Sequence, residues 1–491
     1  MQLEISPRGN DGHRDRLKRI AQPLSVRLWG ESGAGRTFAI PRRSPGDAAI
    51  AVSQEPMLFF DRLGYGQAYH VSSASEIIGP LDVRRLQQAI DQLVDRHESL
   101  RTGFHEGPAG PLARVAGSAR LVLVQLDLCE QPPTDAGLQA ILRESARRPF
   151  DLQQPPLIRA TLLRIAADRQ ILFLTIHHII QDGSSRGIFF RELAAVYRGL
   201  VSGERVTLEP LPIQFGDFAD WQRALFAGDA LDKQRAFWHA ELGGELPYLQ
   251  LPADRPRPRE KSYRGASHWI LVRPEVVAAL RAIAREHDAS LFMTLMAAFT
   301  LLLHRYTNQD DFLVGFPGAG RPLDETLGVF GCFVNTLVLH SRAPGDPSFV
   351  EHLERIRSTA RRVYDNQDFP FARLVADLAP ARSLSRAPLL SVMATLLVPS
   401  RPTLVIEGAQ VHRVRFDHGH AILDLLLEMG ELPDGLECRF EYATDLFDNA
   451  RIVAVAECFR RVLESVAADP QSRLSALPVP SDGERRLLAD P

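Results

Sequence analysis

His177-His178-Ile179-Ile180-Gln181-Asp182-Gly183 follows an apolar run at residues 171–176 and leads into a helix-forming stretch that starts near Ser185. The run predicts a strand. Side chains alternate along a strand, so two adjacent histidines at its end cannot face the same way. The Asp-Gly pair turns the chain into the helix, with Ser184 as a candidate N-cap. This order of residues offers one imidazole as a base, keeps a carboxylate beside it, and aims N–H groups of a helix start at the same space. The chemistry expected of such a turn is acyl transfer.

The rest of the chain sets bounds on that reading. A length of 491 residues exceeds one compact core, so two or more lobes are expected. With 45% hydrophobic and 24% charged residues the composition is that of an ordinary globular protein. A net charge of -3 argues against general nucleic-acid binding. Cys129, Cys332, Cys438 and Cys458 are widely spaced, without a CxxC pair or ligand-like histidines. Buried free thiols are expected, with neither a metal site nor a disulfide framework. No apolar run approaches the roughly 20 residues that span a bilayer, and residues 1–23 lack the apolar core of a signal peptide. A cytoplasmic enzyme with no membrane contact is expected.

Residues 1–45 stand apart, with nine Arg or Lys and four Asp or Glu. A short helix is predicted over 11–21. A β-hairpin is predicted from Val26-Arg27-Leu28-Trp29, a Gly/Ser-rich turn and Thr37-Phe38-Ala39-Ile40. A lone hairpin is marginal in water, so it should pack on something or bind something. From residue 46 the pattern is mixed α/β. Leu86, Ile90 and Leu93 give one apolar face to a helix over 83–96. Strands are expected at 121–126, 156–165 and 170–176, and helices at 185–199, 217–225 and 233–242. A Pro-rich connector at 249–258 places the lobe boundary near residue 226, dividing the body into 46–226 and 227–491. The second part should hold an apolar helix at 291–306, strands at 311–316 and 330–340, and a helix at 347–365. Two or more strands between 389 and 442 and a final helix at 450–467 complete the pattern.

The HHIIQDG block resembles the HHxxxDG signature of nonribosomal peptide synthetase condensation domains. Seven further blocks resemble that family in its order: Ser53-Gln54-Glu55, Arg96-His97-Glu98-Ser99-Leu100-Arg101-Thr102-Gly103-Phe104, Asp217-Phe218-Ala219-Asp220-Trp221-Gln222, Leu251-Pro252-Ala253-Asp254-Arg255-Pro256, Gly331-Cys332-Phe333-Val334-Asn335-Thr336, Asn366-Gln367-Asp368-Phe369-Pro370-Phe371, and Ser385-Arg386-Ala387-Pro388-Leu389. The sixth lacks the family's final Glu. The resemblance implies two chloramphenicol-acetyltransferase-like lobes, each an α/β sandwich, in a V-shaped pseudo-dimer with a central tunnel.

The resemblance also implies roles. His178 is the catalytic position, and the backbone N–H of Gly183 meets the oxyanion. Asp182 pairs with Arg321 of the other lobe, His177 is structural, and Asn335 is a tunnel candidate. Arg96 and Arg101 are expected in structural salt bridges, and Trp221 and Trp238 in the core. No cofactor or metal is expected to be bound. The acyl chain is carried on the phosphopantetheine of an upstream acyl or peptidyl carrier protein, and the acceptor is a small-molecule or carrier-bound amine or hydroxyl. Both histidines are kept, unlike in heterocyclising and recruitment-only relatives, and residues 317–321 lack the EGHGR-like block of epimerising ones. The N-terminal segment, with Trp29, Arg27 and Arg36, resembles β-hairpin docking elements that capture acidic C-terminal tails of carrier proteins. A free-standing chain-releasing enzyme of hybrid polyketide pathways, such as the enacyloxin type, is the expectation that follows. A coenzyme A-dependent acyltransferase of the wax-ester or polyketide-associated type and a non-catalytic recruitment module are the alternatives.

Overall fold

A computed structural model describes residues 3–4, 27–28, 39–44, 46–108, 110–244, 246–378, 384–397 and 404–477. The helix expected over 11–21, and Trp29 and Arg36 of the expected hairpin, lie outside these residues.

Two sheets organise the fold. The first contains β1 (His70–Ile78), β2 (Leu123–Asp127), β3 (Ile158–Ala166) and β4 (Arg169–His177). The second contains β5 (Gly265–Val272), β6 (Asp311–Gly318), β7 (Asn335–Arg342) and β8 (Val392–Leu397). Three more strands follow: β9 (Gln410–Val414), β10 (Leu425–Leu432) and β11 (Gly435–Ala443). The strand orders are β9-β1-β4-β3-β2 and β5-β11-β10-β8-β6-β7. Strand β9 thus leaves the C-terminal half and adds antiparallel to β1, with Val414 opposite Ala74. A division of the chain at residue 226 is crossed by this strand. It is crossed again by Val329, Phe330, Cys332 and Phe333, which bury themselves in the core of the first sheet.

Five helices matter for the site and its support. They are α1 (Val83–Arg96), α2 (Gly183–Ser202), α3 (Leu291–Thr307), α4 (Phe349–Asp365) and α5 (Asn449–Ala468). Helix α1 buries Leu86, Ile90 and Leu93 on the face that the periodicity predicts. Helix α4 carries a capping box, with Ser348 and Glu351 satisfying each other's backbone N–H groups. Helix α3 is apolar all round because it is interior, with Leu295, Met296, Phe299 and Leu301 fully buried. Among the described residues no single helix is long and apolar enough to cross a membrane.

Three expectations are corrected. Strand β7 begins at Asn335, not near residue 330, because the residues before it are drawn across to the other core. Arg27 and Leu28 are helical rather than part of a hairpin strand. Cys332, Cys438 and Cys458 are buried thiols, but Cys129 is half-exposed.

Candidate active site

Strand β4 ends at His177, directly opposite His70 of β1. A three-residue turn, His178–Ile180, carries the chain to the start of α2. His177 is fully buried, and its Nδ1 accepts from the N–H of Ile179 at 3.2 Å. The His70 ring stands edge-on 5.7 Å away. Burial, then the neighbouring His70 and His178, hold the His177 pKa well below the usual imidazole range. His177 is therefore a neutral, structural residue in the wall.

His178 faces the other way, into a cavity of about 3240 Å³ between the two sheets. Its Nδ1 lies 3.8 Å from the Sγ of Cys332, which leaves Nε2 as the ring nitrogen toward the cavity. Burial lowers the His178 pKa, only partly offset by nearby backbone groups and Asp182. A neutral imidazole at pH 7 is what a general base needs. The block at 53–55 supports this turn from below: the Gln54 amide donates to the Ile179 carbonyl (2.7 Å), and the Ser53 hydroxyl donates to the Cys332 carbonyl (2.6 Å).

Asp182 is the N-cap of α2, in place of the expected Ser184. Its Oδ1 accepts from both the N–H and the hydroxyl of Ser185 at 2.8 Å. A short acceptor side chain on an extended residue closes the first turn of a helix in this way. Arg321 reaches the same carboxylate from the other half of the chain, with one guanidinium nitrogen 3.1 Å from Oδ1 and 3.2 Å from Oδ2. It also donates to the carbonyls of Thr326 and Val329 and lies over the Phe333 ring at 4.0 Å. The N–H of Phe333 donates to Asp182 Oδ2 at 3.1 Å. Ser185 completes the lock, its Oγ accepting from the Gly331 N–H at 3.0 Å and lying 2.7 Å from the Gly331 carbonyl. Gly320 sets up this approach. It has φ +63, and a Cβ there would stand 1.7 Å from the Phe333 carbonyl oxygen.

Gly183 is the first residue of α2 and faces the cavity, and a Cβ built on it meets nothing within 4 Å. The first N–H groups of a helix have no intrahelical acceptor. Gly183 can therefore present its N–H beside His178. Proline is tolerated at the first helical position, and the extended Asp182 before it accepts a following proline. Gly183→Pro removes that N–H alone. We expect an unchanged thermal midpoint and a fall of about 100- to 1,000-fold in kcat, as for loss of one oxyanion donor. Gly183→Ala, which keeps the N–H, separates this from crowding.

Asn335 lines the cavity and ties β7 to the following loop. Its amide donates to the carbonyls of Gln367 (2.9 Å) and Phe369 (2.8 Å), and its oxygen accepts from the Phe371 N–H. Arg96 pairs with Glu192 at 3.1 Å, and the Trp238 indole, fully buried, donates to the Asn366 carbonyl. Arg27 departs from its expected docking role. It is buried and forms a two-point ion pair with Asp368, at 2.8 and 2.9 Å, next to the buried Leu28. A side chain so engaged has no free face for a partner. Cys332, Ser185 and Gln54 were not singled out as site residues from the sequence. Gln54 and Cys332 lie in two of the family-like blocks, and Ser185 stands three residues after Asp182, the spacing of an N-cap to its N–H partner.

Comparisons with known proteins agree with this geometry. The family model for the condensation domain matches residues 46–489. Linear gramicidin synthase subunits D and C of Brevibacillus parabrevis are 40% and 37% identical to this chain over 485 and 479 residues, each match covering 96% of it. The chain spans only 9% and 6% of their lengths. Among solved structures, the X-domain in its complex with OxyB from teicoplanin biosynthesis is similar with a TM-score of 0.78 and 28% identity, covering 91% of this chain and 100% of that one. The first condensation domain of the calcium-dependent antibiotic synthetase shares the fold with a TM-score of 0.76 at 22% identity, covering 88% and 100%. The chain belongs to the condensation-domain family, a family of C–N bond-forming acyltransferases on a chloramphenicol-acetyltransferase-like fold.

Proposed function

We propose that this chain transfers an acyl group from the phosphopantetheine thioester of a carrier protein to an amine or hydroxyl acceptor, with His178 as the base. The observation that carries this reading is the placement of His178 in the cavity beside the free start of α2. The acceptor nitrogen or oxygen attacks the thioester carbon while His178 Nε2 takes its proton. The carbonyl oxygen becomes an oxyanion facing the Gly183 N–H. Collapse of the tetrahedral intermediate breaks the C–S bond, and the leaving thiolate takes the proton from the imidazolium. The product is an amide or an ester, and the carrier is left with its free thiol. Asp182 and Arg321 hold the start of α2 against the second half of the chain and take no part in proton transfer. Release of a finished chain to a soluble acceptor is the particular form of this reaction that we propose.

A recruitment module is the second reading, favoured by the likeness to an X-domain solved in complex with OxyB. The open, neutral His178 and the unblocked start of α2 argue against it. Presenting one acyl group on a holo-carrier protein and on coenzyme A tests carrier dependence. We expect turnover from the carrier at least tenfold faster, and equal rates would reject the carrier as donor.

A further inference from the structure

Arg186 lies on the first turn of α2, eight residues beyond His178, and lines the same cavity. The cavity wall is rich in charge and several of its cations are paired, although Arg191, Arg259 and Arg386 also line it without an ion pair to a described residue. Arg439 faces Glu428 (3.4 Å) and Glu441 (3.3 Å). Arg413 and Arg415 share Glu437 at 2.6 Å each. Arg186 makes no hydrogen bond and no ion pair with any described residue, and its guanidinium is not sealed into the protein. Burial depresses its pKa, and Glu428, already engaged by Arg439, offsets only part of that.

A cavity-facing guanidinium without a protein partner keeps its fork of N–H donors free for an anion, and a carboxylate matches that fork with paired, charge-assisted hydrogen bonds. We propose that Arg186 forms a subsite for a carboxylate on the substrate that reaches His178. The thioester end of a carrier arm reaches His178, while its phosphate stays at the far end of the arm. The anion assigned to Arg186 is a carboxylate of the acyl chain or the acceptor, and the arm's phosphate is the alternative that the phosphopantetheine measurement below decides. If it belongs to the acceptor, that acceptor carries a free acid as well as its nucleophile.

This rests on the reading of His178 as the reaction centre but is tested without turnover. Binding of hexanoate, hexanamide and phosphopantetheine to the full chain is compared by saturation-transfer NMR, in the wild type and in Arg186→Met and Arg186→Lys. Thermal midpoints confirm that the variants fold. We expect hexanoate to bind about 10- to 100-fold more tightly than hexanamide, the gain from charged hydrogen bonds. That preference should vanish in Arg186→Met and survive in part in Arg186→Lys. Equal binding of acid and amide, a preference unchanged in Arg186→Met, or an Arg186 dependence confined to phosphopantetheine would each overturn the proposal. Acyl transfer from a carrier to a neutral amine, measured separately, tells its failure from that of the condensation reading.

Discussion

Replacing His178 with alanine is expected to lower kcat/KM for acyl transfer by about 100- to 10,000-fold, the range that a positioned general base supplies. The fold should survive. His178 opens on the cavity and makes its side-chain contact through a 3.8 Å approach to Cys332. Its loss removes little packing, and the backbone turn is held by His177, Gln54 and Asp182 instead. The same assignment fixes the sign of the pH dependence. A base whose pKa is pushed below 6.5 by burial stays neutral at pH 7. The rate should fall as pH drops through that lowered pKa, so the acid limb of the profile lies below pH 6.5. Steady-state kinetics of the two proteins across pH 5 to 8 check both points. A His178→Ala rate within threefold of wild type would remove the base from the mechanism.

Loss of Asp182 should act on stability first. Its carboxylate and Arg321 are both buried, at 5% and 4% side-chain exposure, and lie 3.1 Å apart. Asp182 also caps α2 and accepts from the Phe333 N–H. Asp182→Ala strands the guanidinium in the interior and is expected to cost about 3–5 kcal/mol. Adding Arg321→Leu to that variant should recover part of the loss, because no unpaired charge remains buried. Denaturation of the single and double variants measures both effects. A single-variant cost below 1 kcal/mol would mean that the pair does not hold the two halves together.

The contrast between His178 and Asp182 shows which parts of the fold are legible in the residues. Local order is readable because it depends on neighbours in the chain. The apolar spacing of Leu86, Ile90 and Leu93 marks the buried face of α1, and the alternation at a strand end separates His177 from His178. The ion pair of Asp182 with Arg321 was approached through a family resemblance, since 139 residues separate the partners. Which sheet receives strand β9 and the segment at 329–333 is not legible in the sequence, for a physical reason. Apolar residues record that they are buried, not which of two cores receives them. The cap fell to Asp182 over Ser184 because a carboxylate there also pairs with Arg321, a contact invisible at short range. Cys332 against His178 and the unmatched Arg186 depend on the full three-dimensional arrangement.

The central claim is that the cavity around His178 passes an acyl group from a carrier protein to a nucleophile. The most direct measurement is intact-mass analysis of an acylated holo-carrier protein, incubated with this chain and a panel of amines and alcohols. Loss of the acyl mass from the carrier, matched by an amide or ester product and absent with His178→Ala, is the predicted result. A carrier that keeps its acyl group, or loses it equally fast with His178→Ala, would contradict the account.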